Sequence, residues 1–206
     1  MTPFRRAGAL LGGVILVGSA VISQPGSASA APPVTVDDEV TLYQGEYRSL
    51  NVLRNDSDPD GSDELELCRV APEPAGAAYS ASIYDGRLMI YLDRDATGEI
   101  EISYYACDFE TLVPGTVTVT VKEVKPVRVV KANRPGRVRV TNLNDRAIRF
   151  GWGNFFIEQI DGEVRVGPHD SRVIRTDRTR IHWYASFGYR VDVDSGTVAG
   201  IEQPGG

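Results

Sequence analysis

The chain is poor in the residues that most often do chemistry: two histidines, two cysteines and two methionines in 206 positions. Two histidines, His169 and His182, do not make a zinc site without a convincing third ligand. The letters "HDS" at 169 to 171 do not make a triad either, because nucleophile, base and orienting group must converge from separate elements. Asp192 and Asp194 have the residue type for glycoside hydrolysis, but alternation puts both on a solvated face with Arg190. A sustained helical period is also missing, which removes the helix-based folds. The net charge of −6 argues against nucleic acid as a partner, since phosphates are repelled by an acidic surface.

What is present begins with an export signature. Arg5 and Arg6 precede the apolar run "AGALLGGVILVGSAVI", and the small-residue site Ala28, Ser29, Ala30 follows it. This pattern predicts a cleaved signal peptide over residues 1–30 and a mature product with no integral membrane span, secreted or loosely associated with the cell surface. Export favours a disulfide between Cys68 and Cys107. Cys68 alternates with Leu65 and Leu67, and Cys107 points away from Ile100, Ile102 and Tyr104. The bridge is therefore expected between neighbouring strands on an outer face. Tyr105, two residues before Cys107, is placed like the tyrosine of a tyrosine corner.

Charge divides the mature chain. Residues 31–125 carry 19 acidic and 7 basic side chains, whereas 126–206 carry 9 and 13. Two domains with these bounds are expected, linked through "KEVKPVRVVKANRPG", where Pro126 and Pro135 interrupt strand pairing. Period-two alternation recurs in both. Val117, Val119 and Val121 share a face, as do Leu88, Ile90 and Leu92, and Asp85-Gly86 marks a two-residue hairpin turn. In the second part Ile148, Phe150 and Trp152 alternate, and an odd-numbered apolar run from Ile181 to Val193 asks for a bend near Gly188. Trp152 and Trp183 fall in register with core positions. The fold class is all-β: two tandem β-sandwiches after the signal peptide.

The stretch "NDSDPDGSDE", Asn55 to Glu64, holds five carboxylates and an amide with nothing apolar between them. Its first half has the alternating oxygens of an EF-hand, but Pro59 interrupts it, Leu67 stands where the final Glu belongs, and strands flank it. With "VDDEV", "LNVLRNDSDPDG", "YYACD" and "GTVTVTV", residues 34–124 resemble the cadherin-like and Ig-like repeats of bacterial surface proteins; the second domain carries no such resemblance. The resemblance implies a seven-stranded sandwich with calcium at one end, in adhesive or spacer proteins. In Ig-like topology the start of the first strand and the loops after the second and sixth strands share a pole. Asp37, Asp38, Asn55, Asp56, Asp58, Asp60 and Asp108 are then the candidate calcium ligands.

The expected function is that of an exported, non-catalytic binding or adhesion protein whose partner is a protein or carbohydrate of the cell surface or envelope. Phe155 and Phe156 cannot both face inward on a regular strand and Tyr184 lies opposite Trp183, so these rings are the candidate ligand contacts. The alternative is a secreted hydrolase or enzyme inhibitor acting through loops of the second domain.

Overall fold

The computed structural model describes residues 31–59, 61, 65–108, 111–154, 159–188 and 191–205. The expected signal segment 1–30, and with it Asp60, Phe155 and Phe156, lies outside the described residues. Alternation drives what is seen. Seven strands form from the acidic part: β1 (Asp38–Tyr43), β2 (Tyr47–Leu50), β3 (Glu66–Val70), β4 (Tyr79–Tyr84), β5 (Arg87–Leu92), β6 (Glu99–Cys107) and β7 (Leu112–Lys122). They make a four-stranded sheet in the order β1-β7-β6-β3 and a three-stranded sheet β2-β5-β4. β1 runs parallel to β7, while the other pairs are antiparallel. Between the sheets lie Leu42, Leu88, Ile90, Ile102, Tyr104, Val117 and Val119. These are the alternating positions of the sequence, turned inward as a half-buried strand requires. Asp85 and Gly86 both have positive φ, 51° and 67°, as the tight turn joining β4 to β5 demands.

The basic part repeats the division. β8 (Arg128–Lys131), β9 (Arg137–Thr141), β10 (Ile148–Asn154), β11 (Gln159–Val166), β12 (Ser171–Arg175), β13 (Arg180–Phe187) and β14 (Val191–Ala199) follow. They form a sheet β11-β10-β13-β14 and a sheet β12-β9-β8. The long odd-numbered run is two antiparallel strands rather than one bent strand, reversing at Gly188 with φ 66°. The core holds Ile148, Phe150, Ile181, Trp183 and Val191. Phe150 stacks on Trp183 with ring centroids 5.6 Å apart and on Trp152 at 6.1 Å. Trp183 is a core ring, as its register implied, while Trp152 is only partly buried and packs against that core.

The two sandwiches meet through a joint that combines apolar and ionic contacts. Tyr43, at the end of β1, is buried in the second core, where its ring lies 4.6 Å from that of Phe187. The Arg146 guanidinium sits 4.7 Å from the centre of the Tyr43 ring and pairs with Glu46 at 3.1 Å. Glu46 is buried, and it also accepts from Arg48 and from the Tyr43 amide. A carboxylate removed from water is tolerated when its oxygens are satisfied in this way. The connecting segment is held residue by residue: the Val124 amide donates to Gln44, Lys125 exchanges two hydrogen bonds with the Asn144 side chain, and the Val127 amide donates to Asp194. Asp194 is thus a structural acceptor, not the freely solvated acid that alternation suggested. Among the described residues no helix is long and apolar enough to cross a membrane.

Candidate functional site

The acidic pole is built where the chain entering β1 runs beside the segment after β2. Val34 and Ser57 form an antiparallel bridge. Two residues on, the Val36 amide donates to Asp56 Oδ1 at 2.8 Å, and the Asn55 side-chain amide returns a bond to the Val36 carbonyl at 3.1 Å. Asp37 Oδ1 accepts from the Thr116 amide at 3.2 Å. Asn55 thus braces the segment after β2 against the chain entering β1.

Beneath this lies Tyr104, the largest fully buried side chain. It pairs with Gly115 on β7, where an added Cβ would fall 2.4 Å from the ring. Having no side chain at Gly115 lets the ring cross β7, and its hydroxyl donates to Asp56 Oδ2 at 3.1 Å. Burial, and next the charge of Asp56, hold the Tyr104 hydroxyl above its ordinary pKa, so it stays a donor. The tyrosine tying the strand to the loop is Tyr104, not Tyr105, which faces out under Arg69. Alternation had put Tyr104 inward; nothing in the sequence showed that its hydroxyl would reach Asp56 past a glycine.

Asp38 differs from its neighbours. Its Oδ2 is buried and, among the described residues, has no hydrogen-bond partner. Desolvation raises its pKa above 3.8, and the nearby charges of Asp56 and Asp37 push the same way against a hydrogen bond from Asn55. Asp38 is among the residues lining an open cleft of about 820 Å³ between the edges of the two sheets, with Glu39, Ser49, Asn51, Arg54 and Arg87 also on its walls. Asp37, Asp38, Asn55 and Asp56 therefore form one group.

The remaining candidates lie further along the sandwich. Asp38 is level with Val117 and Cys107 with Leu112, which sets Asp108, one residue further on, about 20 Å from Asp38 along the strand direction at ~3.3 Å per residue. Both oxygens of Asp108 are engaged by Thr111. Asp58 follows the Val34–Ser57 bridge on the side away from Asp38. Among the described residues, the close trio of potential ligand groups is Glu66 with Cys68 and Cys107. The two sulfurs are bonded to each other, so this trio is a disulfide and a neighbouring acid rather than a metal centre. The bridge joins β3 to β6 on the outer face, at a bulge in the pairing.

Tyr184 is the ligand-contact candidate that can be described. It lies half-buried on the outer face of the second sandwich, flat across β10 at Gly151, where a Cβ would come within 2.3 Å of the ring. Its hydroxyl meets Glu163 at 3.2 Å, and Glu163 is gripped by Arg149 through both oxygens. The histidines are tied into turns and strands: His169 contacts Asp145 at 2.8 Å and His182 contacts Thr197 at 3.0 Å. Asp145 also binds Lys122, and the bonds from Lys122 and then His169 hold its pKa below the ordinary value.

Residues 30–121 match the bacterial Ig domain family. The first sandwich is a bacterial Ig-like domain. No curated protein matches the chain. Among solved structures, an I-band fragment of titin is 13% identical with a TM-score of 0.34; the match covers 82% of this chain and 65% of the titin fragment. A SusE-like surface located polysaccharide binding protein from the Bacteroides thetaiotaomicron heparin utilisation locus is 10% identical with a TM-score of 0.35, the match covering 82% of this chain and 34% of that one. The BSP domain of a biofilm associated protein is 13% identical with a TM-score of 0.28, over 84% and 30% of the two chains. The Ig-like domain is followed in this chain by a second sandwich with the same four-plus-three division of strands.

Proposed function

We propose that the protein is an exported, non-catalytic binding or adhesion protein of the cell surface whose Ig-like domain takes calcium at the acidic pole. The observation that carries the calcium reading is the buried, unpartnered Oδ2 of Asp38 beside two further carboxylates. An ionised oxygen without a donor is costly to bury, and a hard cation that takes oxygen ligands removes the cost. Asp37, Asp38, Asn55 and Asp56 would hold the ion, with Asp58 and Asp60 on the loop that follows. When bound, calcium supplies positive charge where three carboxylates repel one another. Extracellular modules bind calcium with dissociation constants of about 10⁻⁴ to 10⁻³ M, so the ion stiffens an already folded pole. Its partner is a protein or carbohydrate of the envelope.

Calorimetric titration of the mature, oxidised chain after chelation tests this, beside Asp38→Asn and Asp56→Asn variants and a magnesium control. Saturable uptake at millimolar calcium, lost in both variants, is expected. No uptake by the native chain would remove calcium from the reading. Sedimentation of the native protein with isolated envelopes, with and without calcium, tests the adhesive part.

A further inference from the structure

The three-stranded sheet of the second sandwich has an outer face that neither its core nor the acidic pole uses. Val138, Val140 and Ile174 are buried, so the residues that alternate with them on β9 and β12, and those level with these on β8, point outward. Arg175 stands directly opposite Arg137, Arg139 follows two residues along β9, and Arg128 lies on β8 level with Thr141. At ~4.8 Å between strands and ~3.3 Å per residue, their stems form a diagonal stripe about 16 Å long, each ~5–8 Å from the next. Val130 and Val173, both exposed, flank Arg139 on either side in one row.

Among the described residues none of these four guanidiniums has an ion-pair or hydrogen-bond partner, whereas Arg172 pairs with Asp170 and Arg178 with Asp161. Like charges set directly across a strand pair, as Arg137 and Arg175 are, cost stability when nothing neutralises them. Beyond Arg137 the stripe adjoins a hollow of about 200 Å³ whose walls include Lys131, Arg134 and Glu202. Two further acids stand at the margins: Asp177, two residues after Arg175, and Asp194, which accepts from the amide next to Arg128. Six basic side chains against three acids leave the face positive. Salt confines the reach of each charge to about 8 Å, so this local excess, rather than the chain's overall −6, sets the field over the stripe.

We infer that this face binds a linear polysaccharide carrying carboxylate groups, the carboxylates taken by the guanidiniums of the stripe and the C–H faces of the sugar rings resting on Val130 and Val173. This rests on the reading of the protein as a binding module, and names the partner's chemistry and the face. The planar guanidinium fork matches a carboxylate through two parallel N–H···O bonds, and the sheet fixes the spacing of four such forks before the polymer arrives. A second copy of this chain is the poorer occupant. A stable protein interface needs an apolar centre and about 800 Å² from each partner, and two valines are the apolar content here. A nucleic acid is poorer too, since β8, β9 and β12 carry no aromatic residue on which its bases could stack.

The test is calorimetric titration of the full mature chain, in chelator so that calcium plays no part, with polygalacturonate, and with dextran, polyphosphate and a single-stranded oligonucleotide for comparison. Arg139→Gln removes the middle of the stripe, and Arg165→Gln removes the same charge from β11 in the other sheet. Near-ultraviolet circular dichroism of the tryptophans checks that both keep the fold. Polygalacturonate binding that weakens as salt rises is expected, reduced fivefold or more by Arg139→Gln and less than twofold by Arg165→Gln, with no binding of dextran. No binding of polygalacturonate, equal loss in the two variants, or equally tight binding of polyphosphate or the oligonucleotide overturns the inference. Self-association of the native chain in sedimentation velocity, abolished by Arg139→Gln, would overturn it in favour of a second copy. Envelope sedimentation by the native chain that Arg139→Gln does not alter would refute this face while leaving the adhesive reading standing.

Discussion

The two sandwiches divide their strands in the same way, four and three, and stabilise that plan by different means. The first has an aliphatic core, one buried tyrosine, a disulfide and an acidic pole. The second has no cysteine and instead packs Phe150, Trp152 and Trp183 against one another. Both rely on rings laid over glycine: Tyr104 on Gly115 in one, and Trp152 on Gly162 and Trp183 on Gly196 in the other. An aromatic ring is longer than the spacing of neighbouring strands, ~4.8 Å, so it lies across a sheet only where the next strand offers no side chain.

The largest change expected is from Trp183→Ala, which should destabilise the second sandwich by about 3–5 kcal/mol through lost burial and the cavity left behind. Denaturant unfolding followed by near-ultraviolet circular dichroism measures it. If the first sandwich unfolds at its native midpoint in this variant, the two are energetically separate. A matching shift in both would mean that the Tyr43–Phe187 and Glu46–Arg146 joint couples them.

Replacing both Cys68 and Cys107 by alanine should cost the first sandwich about 2–4 kcal/mol, the range expected when a loop of this length is no longer closed in the unfolded chain. The second sandwich should be unaffected. A variant as stable as the native chain would show that the aliphatic core alone sustains the first domain.

Asp38→Asn gives the smallest effect and the most specific sign. The folded-state pKa of Asp38 lies above its unfolded value. Its carboxyl therefore favours the fold when protonated, and that contribution is lost as pH rises through the folded-state value. In chelator at neutral pH the variant should melt above the native protein, with the gap closing as pH falls toward 3.8. Calcium at tenfold excess over its dissociation constant should stabilise the native chain by about 1.4 kcal/mol and the variant by less, reversing the order. Thermal melts across pH, with and without calcium, read both signs. The same order under every condition would remove Asp38 from the pole.

Much of the fold was legible because a half-buried strand writes itself in period two. Val117 and Val119, Leu88 and Ile90, and Ile148 and Phe150 are all buried as alternation requires. The hairpin at Asp85-Gly86 and the outward position of both cysteines were readable for similar local reasons. The pole was legible only as composition. Chain order shows that Asp37, Asn55 and Asp108 belong to one end of a sandwich, but not how far apart register sets them. That register groups Asp38 with Asp56 and leaves Asp108 to Thr111.

By itself, then, the sequence determined the class of fold, the division of charge between its halves, the faces of the strands and the residues available to a cation, because each of these follows from local periodicity or composition. Only the tertiary structure decided which rings cross which glycines, that Tyr43 and Glu46 of one sandwich are completed by Phe187 and Arg146 of the other, and that one oxygen of Asp38 is buried without a donor. The physical reason is the same in each case. Such contacts join residues far apart in sequence, and their energy depends on the distance and burial that folding sets, which no local pattern encodes.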